Sequence, residues 1–267
     1  MHEDINARAV AARFGAAAKS YDALSDIQRA VARKLMKMAG DSMDGAPPAR
    51  ILEIGCGTGT LTELLVRRFP GAEIHAVDIA RPMIDVARKR LSGRCRIRWH
   101  EADARSFRPG GTFPLIVSSS ALHWMAPVGD TIKRMESILA PGGLMAAALM
   151  VRGTFEELHE ARMLAAPGKV RPISLPAAGG VLDAFAGAGM RASASEESLR
   201  ARYDSARSFL RSLNRQGVTG AADPGAAPLN RSELRALTGC YDSRCSLASG
   251  GVYASYRVLY ALARKPG

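Results

Sequence analysis

The stretch Ile51-Leu52-Glu53-Ile54-Gly55-Cys56-Gly57-Thr58-Gly59 decides how this chain is read. An apolar run carrying one acid gives way to three glycines at every second position, and a helix-prone segment follows at 61–69. That order predicts a strand, a tight glycine turn and a helix. Glycine is needed where φ is positive or where a ligand must touch the backbone. Such a turn aims backbone N–H groups and a helix N-terminus at an anionic group. The spacing G-x-G-x-G differs from the dinucleotide fingerprint G-x-G-x-x-G, and no G-K-[ST] follows to make a phosphate-cradling loop. Alone, the turn is equally compatible with an ordinary strand-to-helix connection.

The residues downstream give it context. Residues 73–78 read as a second strand ending in Asp78, 19 residues beyond Gly59. An acid there can accept hydrogen bonds from both ribose hydroxyls of a nucleoside. It can equally cap the apparent helix at 83–91. A third strand is expected at 95–100 and a fourth at 115–119, with a turn at Leu139-Ala140-Pro141-Gly142-Gly143. The form E-x-G-x-G-x-G resembles motif I of the S-adenosylmethionine-dependent methyltransferases. Glu101-Ala102-Asp103-Ala104 resembles that family's adenine-contacting acid–small pair. The resemblance implies S-adenosylmethionine as cofactor.

Composition sets the bounds. The 267 residues are 47% hydrophobic, enough for one large domain or a core with an insertion. No apolar run reaches the roughly 18 residues of a membrane span. Met1-His2-Glu3-Asp4 is acidic and lacks a following apolar stretch, so a secretory signal is not expected and a cytoplasmic location is. Cys56, Cys95, Cys240 and Cys245 have no zinc-site spacing and read as free thiols. The net charge is +12, from 37 basic and 25 acidic residues. Such an excess suits an acidic partner. An Arg- and Ala-rich composition accounts for it equally well. No zinc-finger, helix-turn-helix or RNP signature is present, so nucleic acid is not the expected partner.

Alternating strands and helices imply an α/β fold: a doubly wound, mostly parallel, seven-stranded Rossmann-like sheet. The expected division is a helical N-terminal cap (1–49), an α/β core (50–203), a helical insertion (204–250) and a last core strand (251–267). Within the cap, 5–40 is helical, with Ile27, Val31, Leu35 and Met38 toward the core. Arg29, Arg33 and Lys37 form a basic stripe. Residues 41–49 read as a linker. Helices are expected near 155–165 and 181–186, and a strand near 191–202. The insertion opens with an amphipathic segment at 204–215, capped by Asp204, with Phe209, Leu210 and Leu213 opposite Arg207, Arg211 and Arg215. A Gly/Pro/Ala loop (217–228), a helix (231–241) and a strand (253–263) complete the chain.

Longer motifs narrow the resemblance. Arg13-Phe14-Gly15-Ala16-Ala17-Ala18-Lys19-Ser20-Tyr21-Asp22, followed by Gln28-Arg29, is similar to the N-terminal signature of the malonyl-acyl-carrier-protein O-methyltransferases of early biotin synthesis. Ser118-Ser119-Ser120-Ala121-Leu122-His123-Trp124 resembles their S-N-L-A-x-Q-W, and 153–161, Arg211-Ser212-Leu213 and 256–260 resemble later landmarks. Ser119, His123 and Asn214 depart from the family's Asn, Gln and Lys, and an Asn-Arg-Phe triplet is absent before Leu175.

The resemblance implies methyl transfer to the free carboxylate of a malonyl group on acyl carrier protein. A carboxylic acid is already ionised at neutral pH, so no strong base is needed. It further implies cofactor contacts from Tyr21, Glu53, Gly55, Cys56, Gly57, Asp78, Ile79, Met83, Asp103, Ala104 and Ser119. Tyr21 would cover the sulfonium, and His123 and Trp124 would wall the acceptor. Arg152, Arg171 and Arg211 are candidates for the acceptor carboxylate. The stripes Arg29/Arg33/Lys37 and Arg207/Arg211/Arg215 are candidates for docking the carrier. Other small-molecule carboxyl or quinone-precursor methyltransferases, and less readily an RNA methyltransferase, remain open from sequence.

Overall fold

Strands that are buried on both faces read as continuous apolar runs, and Ile51, Leu52 and Ile54 are all fully buried. They belong to β1 (Arg50–Ile54) of a seven-stranded sheet whose other strands are β2 (Glu73–Asp78), β3 (Ile97–Glu101), β4 (Phe113–Ser119), β5 (Leu139–Met150), β6 (Arg191–Tyr203) and β7 (Val252–Arg264). The computed structural model describes residues 6–43, 45–94, 96–169, 175–218 and 228–267. The strand order is β3-β2-β1-β4-β5-β7-β6. The first five strands are parallel, and β7 runs antiparallel to both β5 and β6. This is the doubly wound, mostly parallel sheet expected from the sequence.

Helices cover both faces. On one side α2 (Asp26–Asp41) and α3 (Thr60–Arg68) bury Val31, Leu35 and Leu65 against Ile51 and Ile74. On the other, α5 (Val128–Ile138) and α7 (Ala178–Gly187) bury Ile132, Met135 and Phe185 against Leu52 and Ile116. Strand order reverses between β1 and β4. In such sheets the ligand crevice opens beyond the carboxyl ends of the strands at that reversal. The glycine turn after β1, Asp78 at the end of β2 and Ser119 at the end of β4 all lie there.

Several boundaries differ from the sequence reading. The expected helix over 5–40 is two helices, α1 (Ala7–Ala17) and α2, separated by a 3-10 turn at Asp22–Leu24. Between them the Ser20 and Ser25 hydroxyls bond back to the carbonyls of Ala17 and Tyr21, the local competition that disfavours serine inside helices. Val31 and Leu35 are fully buried, whereas Ile27 and Met38 are only partly so. The turn at Leu139–Gly143 is the irregular start of β5. The register jumps there from Phe113↔Leu139 to Leu115↔Leu144, with Gly142 at φ 68°. Asp204 does not cap the helix of the insertion. Ser205 does, in a reciprocal capping box with Ser208 at the start of α8 (Ala206–Arg215). Helix α9 (Arg231–Arg244) and β7 run a few residues longer than expected. The remaining helices are α4 (Arg81–Arg90) and α6 (Glu156–Ala165).

Candidate active site

The glycine turn is held open by three positive-φ glycines, Gly55 (71°), Gly57 (52°) and Gly59 (86°). Each has a different reason to lack a side chain. A Cβ on Gly55 would stand 2.2 Å from the Ala121 Cβ, and one on Gly59 would stand 3.0 Å from the Ala87 Cβ. A Cβ on Gly57 would meet nothing within 4 Å among the described residues, so that side of the turn is open to a ligand. The turn is tied to β2 by Gly55 N and Cys56 N donating to the Val77 carbonyl, at 2.8 and 3.0 Å. Asp78 fixes the crest: Oδ2 accepts from Gly57 N and Oδ1 from Ala80 N, both at 2.8 Å. Burial raises the Asp78 carboxyl above its ordinary value, opposed by these backbone donors.

Three cavities adjoin one another here, sharing Tyr21 and Ser120 in their walls. The largest, about 740 Å³, is lined by Gly55, Gly57, Asp78, Ile79, Met83, Asp103, Ala104 and Ser119, with Phe14 and Tyr21 of the N-terminal segment over it. A smaller one of about 400 Å³ runs under the turn past Glu53, Cys56 and Thr58. A third, about 500 Å³, lies between His123, Trp124, Gln28, Gln216, Thr154 and Tyr256.

Burial shifts the ionisable groups of the site toward their neutral forms. Glu53 is buried, and its Oε2 has no hydrogen-bond partner. Burial first, and Asp78 nearby, push its carboxyl up to about 8. A buried oxygen left without a partner is costly unless a cation or donor answers it. Tyr21 is pushed up to about 12 by burial and stays protonated. The Cys56 thiol is raised well above its ordinary value by burial, so it is not a nucleophile. His123 Nδ1 accepts from Met150 N at 3.3 Å, which places the neutral ring's proton on Nε2. Burial holds His123 down at about 3, so it is a hydrogen-bond donor and not a base at neutral pH. Among the described residues, no group of three or more His, Cys, Asp or Glu could hold a metal ion.

Comparison with known proteins agrees with this geometry. A family model described as "Methyltransferase domain" matches residues 51–143. A malonyl-[acyl-carrier protein] O-methyltransferase of Geobacter sulfurreducens is 31% identical over 269 residues, covering 98% of this chain and 100% of that protein. The chain belongs to the malonyl-[acyl-carrier protein] O-methyltransferase family. The Priestia megaterium member is 36% identical over 155 residues, and the match spans 58% of this chain and 56% of that protein. The biotin biosynthesis bifunctional protein BioCD of Bordetella avium is 33% identical over 97% of this chain, which spans 53% of its length. The chain thus spans little more than half the length of these two relatives. Among solved structures, the YcgJ protein of Bacillus shares the fold at a TM-score of 0.62 with 16% identity, covering 88% of this chain and 99% of that one.

The residues that the family resemblance singled out fall into two groups. Tyr21, Glu53, Gly55, Cys56, Gly57, Asp78, Ile79, Met83, Asp103, Ala104 and Ser119 all line the first two cavities. Asp103 differs in one respect: its carboxylate is already bound by Arg105 N, Nε and Nη2 at 2.7–3.1 Å. His123 and Trp124 line the third cavity, with Trp124 edge-on to Phe14 at 5.5 Å. The arginines do not gather there. Arg152 is exposed and lines none of the three cavities, and Arg207 and Arg211 lie on the outer face of α8. Arg171 lies outside the described residues. The stripe on α2 is partly neutralised, Arg29 by Asp26 and Lys37 by Asp41.

Gln28, Gln216, Ser120, Thr154 and Tyr256 also line the third cavity, although the sequence reading gave them no role in the site. Gln216 is 1% exposed and accepts from Gln28 Nε2 at 3.2 Å across 188 residues of chain. No local signal announces such a pair. Ser120 is the last of three consecutive serines, the first residue beyond β4, with φ at 57° and a buried hydroxyl that has no partner.

Proposed function

We propose that this chain transfers a methyl group from S-adenosylmethionine to the free carboxylate of a malonyl thioester on acyl carrier protein, an early step of biotin synthesis. The observation that carries the reading is the whole-length match to a malonyl-[acyl-carrier protein] O-methyltransferase. The unpartnered Glu53 Oε2 and the open space at Gly57 support a cofactor that brings a cation or donor to the strand end and approaches the backbone closely. S-adenosylmethionine supplies an electrophilic methyl group when bound. Glu53 and the backbone of the turn would hold its amino-acid end, Asp78 its ribose, and Ile79, Met83, Asp103 and Ala104 its adenine. Tyr21, protonated and at the junction of the cavities, would orient the reacting groups and exclude water. Holding the reacting atoms in line can supply roughly 7–11 kcal/mol in favourable cases.

The acceptor would enter the third cavity. His123 Nε2–H would donate to an acceptor oxygen without competing for its charge. Arg152 is not retained as the acceptor's cation, because it lines none of the cavities. The exposed row Arg207, Arg211 and Arg215 on α8 would steer an acidic carrier toward this cavity, whose wall includes Leu213 and Gln216 of the same segment. No described helix is long and apolar enough to cross a membrane. A cytoplasmic location belongs to the same proposal. Mass spectrometry of malonyl-carrier protein incubated with the protein and S-adenosylmethionine tests it. A gain of one methyl, removed by esterase, is expected. An unchanged carrier mass beside methylation of an unrelated free acid would overturn the substrate.

A further inference from the structure

Tyr21 reaches all three cavities, yet it sits on a short irregular link between α1 and α2. Something must hold that link at a fixed height above the glycine turn. The adjacent residue, Asp22, lines none of the three cavities but leaves the N-terminal segment and grips the turn itself. Its Oδ1 accepts from the Thr58 hydroxyl at 2.5 Å, and its Oδ2 pairs with Arg90 at the end of α4. Arg90 closes the ring by donating to the Thr58 carbonyl and to Thr60 Oγ1, each at 3.1 Å. Thr58 lies between Gly57 and Gly59 and is 2% exposed. On the other side, Arg29 of α2 donates to the Asp22 carbonyl. Two separate elements therefore converge on the Asp22 carboxylate, and a third holds its backbone carbonyl.

The rest of the α1 contact is mainly apolar. Phe14 packs edge-on against Trp124 and Tyr21, and Gly15 lies against Pro82. Apolar contact is non-directional and permits sliding. Charge-assisted hydrogen bonds fix orientation as well as distance.

We propose that Asp22 is a positioning residue: by clasping Thr58 and Arg90 it locks the N-terminal segment onto the glycine turn and sets Tyr21 over the cofactor cavity. Closure of the segment and the shape of the turn are then one event. A ligand that orders the turn closes the cap, and a loosened clasp opens both. This rests on the S-adenosylmethionine reading only for the identity of the ligand; the clasp is a property of the chain itself.

The test is amide hydrogen exchange of α1 in ligand-free protein, paired with calorimetric titration of S-adenosylhomocysteine. Asp22→Asn keeps an acceptor for Thr58 but turns an amide N–H toward the Arg90 guanidinium. Thr58→Val removes the hydroxyl at nearly constant volume, and Thr58→Ser restores it. Asp22→Asn and Thr58→Val should each speed α1 exchange and weaken binding by about tenfold, the scale of one charge-assisted hydrogen bond. Together they should do little more than either alone, and Thr58→Ser should behave as wild type. Unchanged α1 exchange in both variants overturns the proposal, whether or not binding weakens. If Asp22→Asn does not fold, the Thr58→Val and Thr58→Ser pair decides alone. If wild-type protein fails to bind S-adenosylhomocysteine, the functional reading falls, while the exchange data still judge the clasp.

Discussion

Replacing Glu53 by Gln should stabilise the ligand-free protein at alkaline pH while weakening the cofactor. Burial moves the Glu53 carboxyl from 4.5 to about 8 in the folded chain. The unfolded chain releases this proton near 4.5, and the folded chain keeps it until about 8. The folded state therefore binds more protons across that window, and its stability falls as pH rises through it. At pH 7.5 the loss amounts to about 4 kcal/mol, from three pH units at about 1.36 kcal/mol each. Glutamine never ionises, so it escapes this loss. At about 2.1 cal/mol/K per residue, the unfolding entropy of 267 residues converts 4 kcal/mol into roughly 7 °C. The assay is thermal unfolding of wild type and Glu53→Gln at half-unit steps from pH 5 to 8.5. Wild type should lose stability with rising pH relative to the variant, and the two curves should converge near pH 5. S-adenosylhomocysteine should bind wild type with proton release and bind the variant at least tenfold more weakly, since a charge-assisted hydrogen bond is worth about 1.5–3 kcal/mol. A variant that is less stable than wild type at pH 8, with a parallel pH curve, would refute the reasoning.

Other outcomes follow from the same geometry. Gly55→Ala should cost about 3 kcal/mol, from left-handed strain plus the collision with Ala121, whereas Gly57→Ala should cost only about 1 kcal/mol and instead lose S-adenosylhomocysteine binding; urea unfolding and calorimetry separate the two. His123 is held at about 3, below the 6.5 it has when unfolded, so stability should fall by about 2 kcal/mol between pH 6.5 and 5, and His123→Gln should flatten that acid limb in a pH-dependent melt. His123→Leu should lower kcat/KM for a malonyl thioester about tenfold or more, while His123→Gln retains it, as steady-state kinetics would reveal. Reversing Arg207 and Arg211 to Glu should raise KM for the carrier-borne substrate about tenfold at low salt, with a small malonyl thioester unaffected.

The legible part of this protein was local. Ile51–Gly59 carries strand, turn and helix start within one continuous stretch, because a strand's burial and a glycine's positive φ are properties of adjacent residues. Asp78 and Asp103 were legible for the same reason: each closes a strand-to-helix or strand-to-turn unit whose length is set by the parallel sheet. Periodicity gave α2 its inward face but not its start, since the break after Ala17 depends on serine hydroxyls choosing backbone carbonyls over solvent.

What the sequence by itself determined is the sheet, its glycine turn and a set of residues that the fold brings to the walls of the first two cavities. Only the tertiary structure decided how the acceptor side is built. There Gln28 meets Gln216, while Arg152 and Arg211, read from sequence as substrate ligands, are exposed; beside the glycine turn Asp22 meets Thr58 and Arg90. These partners are 36 to 188 residues apart, and their pairing is enforced by packing of helices against a common sheet. A hydrogen bond between distant residues leaves no period or spacing in the chain. It exists only once the fold has brought both groups within reach of one another.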